Sequence, residues 1–132
     1  MTEEKKNRRI IVAGGVHFND YKALENTLDE YFKCVSKDEI EIISGHARGA
    51  DSLGERYAQE HDIKCTVFPA DWKKYGRAAG PIRNKKMLEY AMEQQAGLVA
   101  FWNGESKGTK NMISIAEKAG IEVKIVHYQK EG

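Results

Sequence analysis

Five short apolar runs, separated by amphipathic segments, dominate the pattern of hydrophobic and polar positions along the chain. The runs have the length of buried strands and lie at residues 9–13, 39–43, 64–68, 97–102 and 121–126. Apolar residues recur at helical spacing over residues 21–33, 48–61, 81–95 and 108–119. Because right-handed crossovers make alternating strands and helices pair in parallel, the pattern predicts an α/β fold. We expect a Rossmann-like three-layer sandwich, with a mainly parallel five-stranded sheet and helices on both faces.

Polar and glycine-rich residues set the expected ends of these elements. Asn19 or Asp20 is the expected N-cap of the first helix, and Pro81 suits the first turn of the third helix. Residues 69–80 are too polar for regular structure, so we predict a connecting loop there. No linker or repeat divides the 132 residues, which predicts a single domain with an ordered core over 9–126 between solvated tails.

Composition and charge restrict the function classes. The 21 Lys and Arg residues nearly balance 20 Asp and Glu, which disfavours binding to nucleic acid or anionic membranes through bulk charge. Cys34, Cys65 and the four histidines show no metal-ligand spacing, so we expect neither a metal nor a cofactor. No membrane span or secretory signal is recognisable, so we expect a cytoplasmic protein without a membrane partner. Self-association is left open.

Glycine and small polar residues follow three of the strands, over residues 13–15, 44–51 and 102–109. Glycine lets a backbone approach an anion, and a helix that begins directly afterwards directs unpaired N–H groups at it. Neither the P-loop nor the GxGxxG spacing is present. The pattern therefore predicts a phosphate site of another kind, although glycines that only form turns are the alternative. The predicted ligand-binding residues are Gly14, Gly15, Ser44, Gly45, Arg48, Gly49, Asp51, Arg83, Asn84, Trp102, Gly104, Ser106, Lys107, Gly108 and Thr109.

The third helix adds to the anion hypothesis. Arg83 is expected in its first turn, where a cation is unfavourable unless an anion neutralises it. A solvated or carboxylate-paired Arg83 is the alternative. Trp102 could stack on a base or pack in the core. Asp51 is expected to cap the second helix, with ligand contact as the alternative. Ser44 and His46 are close neighbours on one loop, which is not the arrangement of a serine-hydrolase triad.

One segment resembles the SG-x-A-x-G-x-D signature of the DprA/Smf proteins. It is Ser44-Gly45-His46-Ala47-Arg48-Gly49-Ala50-Asp51. Together with three further motifs, this segment makes the chain similar to the YspA-type, cpYpsA-related branch of the SLOG superfamily. The three motifs are Asp71-Trp72, Ala79-Gly80-Pro81-x-Arg83-Asn84-x-x-Met87 and Ser106-Lys107-Gly108-Thr109. The resemblance implies a Rossmann-like fold with a ligand cleft formed by the glycine loops. LOG-type members also carry a glutamate in PGG-x-GT-x-x-E, a position that falls on Met112 here.

Three functions follow from the residues and the resemblance. The first is binding of a nucleotide or nucleotide-derived phosphorylated ligand, as a sensor or carrier. The second is a nucleotide hydrolase similar to the phosphoribohydrolases, with Arg83 on the phosphate and Asp51 as the carboxylate; no catalytic residue is assigned beyond that. The third is single-stranded DNA binding, as in DprA, through the basic segment from Lys73 to Lys86. Of these, the sequence favours the binding protein over the enzyme and over nucleic-acid binding.

Overall fold

A computed structural model of the protein describes residues 7–129. Its five strands are β1 (Arg8–Gly14), β2 (Ile40–Ser44), β3 (Lys64–Val67), β4 (Gln95–Trp102) and β5 (Glu122–His127). They form one sheet in the order β3-β2-β1-β4-β5, and all four neighbouring pairs are parallel. The predicted Rossmann-like α/β fold is confirmed.

Helices cover both faces of this sheet. They are α1 (Tyr21–Tyr31), α2 (Ala50–Glu60), α3 (Trp72–Tyr75), α4 (Ala79–Ala91) and α5 (Lys107–Ala119). Side chains alternate across β1, so Ile10 and Val12 join the core beneath α1 and α2. Ile11 and Ala13 join the core beneath α4 and α5. A strand buried on both faces explains why β1 reads as an uninterrupted apolar run.

The prediction of an irregular loop over 69–80 was wrong. This segment contains α3, a 3₁₀ turn at Gly76–Ala78 and the first two residues of α4. Asp71 makes the short helix feasible, because its carboxylate accepts the Lys74 N–H at 3.1 Å and caps the helix. Since α4 begins at Ala79, Arg83 lies in its second turn and not in its first.

Other element boundaries shifted by a few residues. The third predicted helix ends at Ala91 and not at 95, because Gln95 already pairs with the sheet through the Asn7 carbonyl at 3.2 Å. Gly49 has a φ of +80°, so α2 begins after it and not at residue 48. Asp20 is the N-cap of α1, and its carboxylate accepts the Ala23 N–H at 3.0 Å. Of the predicted tails, Arg8 belongs to β1, whereas residues 1–6 and 130–132 lie outside the described part of the chain.

The two outer strands carry charged, exposed side chains. Lys64 on β3 is exposed, as are Glu122 and Lys124 on β5. Between these charges, Val123 and Ile125 pack against the core on the α4 and α5 face. The charges of β5 thus lie on the face opposite to Val123 and Ile125, and β3 carries Lys64 together with the exposed Val67.

A buried carboxylate lies near the start of β2, away from the carboxyl ends of the strands. Glu41 is 3% exposed and accepts hydrogen bonds from the Thr66 hydroxyl and the Tyr90 hydroxyl, both at 2.5 Å. The Arg9 guanidinium donates to it at 3.2 Å and lies over the Tyr90 ring. Burial alone raises the pKa of Glu41, but these hydrogen bonds and the charges of Lys64 and Arg9 outweigh burial and lower it. Glu41 is thus held ionised in the fold.

Candidate functional site

The carboxyl ends of β1 and β4 lie side by side, and the chain leaves them in opposite directions. The β1 loop leads to α1 on one face, and the β4 loop leads to α5 on the other face. Open parallel sheets bind ligands at such a switch point, because diverging loops leave a crevice there. The candidate site therefore lies at this edge of the sheet.

The glycine turns after β1 and β2 touch each other. The Ala50 N–H donates to the Gly15 carbonyl at 3.3 Å. A Cβ atom on Gly49 would lie 2.2 Å from the Gly15 oxygen and 2.7 Å from the Val16 Cα. The positive φ of Gly49 and this close approach both require glycine. The first two predicted turns are therefore joined into one backbone surface.

The α4 helix ties this surface to the turn after β4. The Arg83 guanidinium donates through Nη1 to the Gly45 carbonyl at 2.5 Å and through Nε to the Asn84 side-chain oxygen at 3.0 Å. Asn84 is buried and donates to the Gly108 carbonyl at 3.3 Å and to the Asn111 side chain at 2.9 Å. Arg83 faces the glycine turns, and its Nη2 makes no hydrogen bond within residues 7–129, which leaves donors for a ligand.

Asp51 is a second buried charged group beside Gly45. It is 5% exposed, and its carboxylate accepts the Ala47 N–H at 3.3 Å. Burial raises the pKa of Asp51 to about 6, although the Arg83 charge opposes this shift. Burial likewise lowers the pKa of Arg83, and Asp51 opposes that shift. The prediction that Asp51 caps α2 was wrong, because Gly49 occupies the cap position and Asp51 turns inward toward Arg83.

Gly45 lies between these two charged groups. A Cβ atom on it would be 2.3 Å from Arg83 Nη1 and 2.7 Å from Asp51 Oδ2. We expect Gly45→Ala to lower the free energy of unfolding by about 1–3 kcal/mol through overpacking. Denaturant unfolding measures this change.

Gly108→Ala is the matched control for Gly45→Ala. A Cβ atom on Gly108 would meet nothing within 4 Å, and the residue lies in the first turn of α5. We expect this variant to be neutral or more stable by up to about 1 kcal/mol, since alanine restricts the unfolded chain. Equal losses in the two variants would contradict the crowding described at Gly45.

The turn after β4 is organised by its own side chains. The Asn103 side-chain oxygen accepts the N–H groups of Glu105 and Ser106, both at 2.9 Å. The Ser106 hydroxyl caps α5 by accepting the Thr109 N–H at 3.4 Å. Gly104 has a φ of +86°, and its Cβ position is open. The N-terminus of α5 is therefore preformed and faces open space.

Some predicted residues have structural roles in this arrangement. A Cβ atom on Gly14 would lie 2.5 Å from the Phe101 carbonyl oxygen, so this glycine permits packing. Trp102 donates its indole N–H to the Ser106 carbonyl at 3.1 Å and packs on the α4 and α5 core. Ser44 is fully buried. Arg48 and Lys107 are exposed at the starts of α2 and α5.

Glu55 is a residue that the sequence analysis missed. Its carboxylate accepts the Ser44 hydroxyl at 2.7 Å and lies 3.0 Å from His46 Nδ1. Ser44 thus contacts a carboxylate and not the imidazole, which excludes a catalytic triad of Ser44 and His46. The signal was available, because Glu55 lies four residues after Asp51 and so on the same face of α2.

Two further observations concern metal ions and membranes. Within residues 7–129, no three His, Cys, Asp or Glu side chains lie close enough together to hold a metal ion. Over the same residues, no helix has the length and apolar character needed to cross a membrane.

Comparison with known proteins agrees with the fold. The gene 61 protein of Mycobacterium phage D29 is 30% identical over 122 residues, which cover 88% of this chain and 94% of that protein. The X-ray structure of DNA processing protein A (DprA) from Streptococcus pneumoniae matches 90% of this chain with a TM-score of 0.50 and 15% identity. This chain spans only 58% of that DprA chain. At 15% identity, the likeness concerns the fold alone.

The family model of the YspA, cpYpsA-related SLOG family matches residues 8–75. The match includes β1, β2 and both of the joined glycine turns, which confirms the resemblance drawn from the Ser44–Asp51 segment. The chain therefore belongs to the YspA, cpYpsA-related SLOG family.

Proposed function

We propose that this protein binds a nucleotide or nucleotide-derived phosphorylated ligand, as a sensor or carrier, across the carboxyl edge of its sheet. One observation carries the proposal: the largely buried Arg83 contacts the β2 turn, is joined through Asn84 to the α5 turn, and keeps Nη2 without a hydrogen-bond partner within residues 7–129. A guanidinium with fixed orientation and spare donors suits a phosphate oxygen. Family membership and fold support a nucleotide- or DNA-related binding role in general.

The surrounding residues would contribute in two ways. The N-terminus of α5, at Gly108, offers a backbone N–H group and the positive end of the helix dipole. The open Cβ position of Gly108 leaves room for a ligand oxygen to approach. Arg48 and Lys107 are exposed and would attract the anion without fixing its position.

Thermal-shift and calorimetric titrations test this proposal with AMP, GMP, cyclic AMP, NAD and ADP-ribose as probes. We expect at least one probe to raise the melting temperature, because a ligand at one hundred times its Kd stabilises by about 2.7 kcal/mol. Arg83→Met should raise the Kd of that probe at least tenfold. Arg77→Met is the matched control, since Arg77 is exposed in the neighbouring 3₁₀ turn, and it should leave Kd unchanged. If none of the probes shifts the melting temperature, the proposal fails.

Hydrolysis of a nucleotide is the second candidate, and Asp51 favours it. A buried carboxyl with a pKa of about 6 beside a guanidinium suits proton transfer near neutral pH. The position of the LOG glutamate offers no substitute, because Met112 is buried in the core. Chromatography of AMP after incubation should show free adenine, and Asp51→Asn should abolish it. If AMP remains intact after prolonged incubation, hydrolysis is ruled out and binding remains as the proposed function.

A further inference from the structure

A second cleft opens at the switch point, on the α1 side of the sheet. Its volume is about 900 Å³, and it lies between the β1 loop, the start of α1 and the segment that ends β5. Ligand sites commonly occupy 300–1,000 Å³. A smaller cavity of about 190 Å³ lies beside Arg83, between the end of β3, α3 and α4, and is too small for a whole nucleotide.

Aromatic rings form one wall of the α1-side cleft. Phe18 is buried and stacks on Phe101 with ring centres 4.9 Å apart. Tyr128 packs on the other side of Phe18 at 4.8 Å and is only partly buried. Its hydroxyl lies over Gly15, where a Cβ atom would be 2.1 Å from that oxygen, and it makes no hydrogen bond within the described residues. The wall is therefore rigid, apolar and edged by a free phenol.

The rim of the cleft is polar but carries no permanently charged cation. Neither lysine nor arginine is among the described residues that line it. Asn103 uses its side-chain oxygen to accept two N–H groups, and its Nδ2 has no partner within residues 7–129. His17 and His127 are exposed at the opening. An apolar wall edged by amide, phenol and imidazole groups and by the Asp20 carboxylate suits a neutral ring with polar edges, whereas a phosphate needs cations.

Arg83 and the α1-side cleft both lie at the carboxyl edge of the sheet. Arg83 contacts the end of β2, and the α1-side cleft lies beyond β1 against β4 and β5. From β2 to β4 and β5 the sheet spans two to three strand spacings, roughly 10–15 Å. The Gly15 turn lies between them and touches both the α2 start and Tyr128.

We propose that the α1-side cleft binds the planar heteroaromatic base of the ligand, with Tyr128 and Asn103 contacting its polar edge. This inference rests on the proposed function, because it places the phosphate of the same ligand at Arg83. Trp102 is then not the base-stacking residue, because its ring packs on the α4 and α5 core.

Calorimetric titration with AMP, GMP, CMP, UMP and ribose 5-phosphate tests the base site. Ala23→Trp places a large side chain into the cleft, and Lys22→Trp is the matched control on the exposed side of α1. We expect Ala23→Trp to raise the Kd of the tightest-binding nucleotide at least tenfold and to leave the Kd of ribose 5-phosphate unchanged. Lys22→Trp should change neither Kd. Tyr128→Phe should weaken the nucleotide severalfold without affecting folding.

The outcomes separate this inference from the proposed function. Nucleotide affinity that Ala23→Trp leaves intact while Arg83→Met abolishes it would overturn the base site and retain phosphate binding. If Ala23→Trp weakens ribose 5-phosphate as strongly as the nucleotide, the cleft does not distinguish the base and the inference also fails. If neither the nucleotides nor ribose 5-phosphate bind, both proposals fall.

Discussion

Glu41→Ala is expected to lower the free energy of unfolding by about 3 kcal/mol, a large part of the roughly 5–15 kcal/mol of a typical domain. The change leaves the Thr66 and Tyr90 hydroxyls without their acceptor. It also leaves the Arg9 guanidinium, whose side chain is 13% exposed, without its buried counter-charge. Urea denaturation followed by circular dichroism measures the loss.

Glu93→Ala is the control for Glu41→Ala, because Glu93 contacts the same guanidinium at 3.1 Å with a side chain that is 67% exposed. An exposed ion-pair partner contributes up to about 1 kcal/mol, so the free energy of unfolding of this variant should remain close to that of the native protein. Similar losses from both variants would show that burial of Glu41 is unimportant.

The effect of Glu41 on stability should also depend on pH. The pKa of Glu41 in the fold lies below its ordinary value of 4.5. Its charge therefore stabilises the fold fully above pH 4.5, and that stabilisation is lost as the pH falls through the lower folded pKa. The difference between the native protein and Glu41→Gln should shrink in acid. A difference that is constant from pH 7 to pH 3 would contradict this account.

Binding of a phosphorylated ligand is expected to tighten up to tenfold when the pH falls from 8 to 7, and to level off below pH 6. The pKa of Asp51 is raised to about 6, so at pH 8 its carboxylate is ionised and competes with the ligand for Arg83. A bound anion raises this pKa further, so binding takes up a proton. ADP-ribose is a suitable probe because its diphosphate does not titrate in this range.

Asp51→Asn supplies the control for the pH profile of binding. The amide oxygen can still accept the Ala47 N–H, but the group no longer titrates. This variant should bind ADP-ribose with the same affinity at pH 6, 7 and 8, and more tightly than the native protein at pH 8. If the native profile is flat while ADP-ribose binds, Asp51 does not compete for Arg83.

The fold was predictable because short stretches of the sequence specify its strands and most of its helices. The central strands are buried on both faces, so β1 and β4 appear in the sequence as uninterrupted apolar runs. The short α3 was not predictable in the same way. Four residues cannot form an independent helix, and α3 depends on the cap from Asp71 and on packing against α4.

The candidate site was predictable only in part. The glycine turns and Arg83 were visible as composition at strand ends, but the contact between Arg83 and Gly45 joins residues 38 positions apart. Gly14 and Gly108 also look equivalent in the sequence, although one permits packing and the other faces open space. The α1-side cleft was missed because Phe18 and Tyr128 meet only when β5 completes the sheet.

The exposed charges on the two outer strands, β3 and β5, have a consequence for assembly. An open sheet edge can recruit another chain by extending its ladder, and lysine or glutamate along that edge makes the addition unfavourable. Lys64 at one border, and Glu122 with Lys124 at the other, should keep concentrated solutions free of fibrous, strand-paired aggregates. Any dimer that this protein forms should then assemble through its helical layers, leaving the sheet borders to solvent.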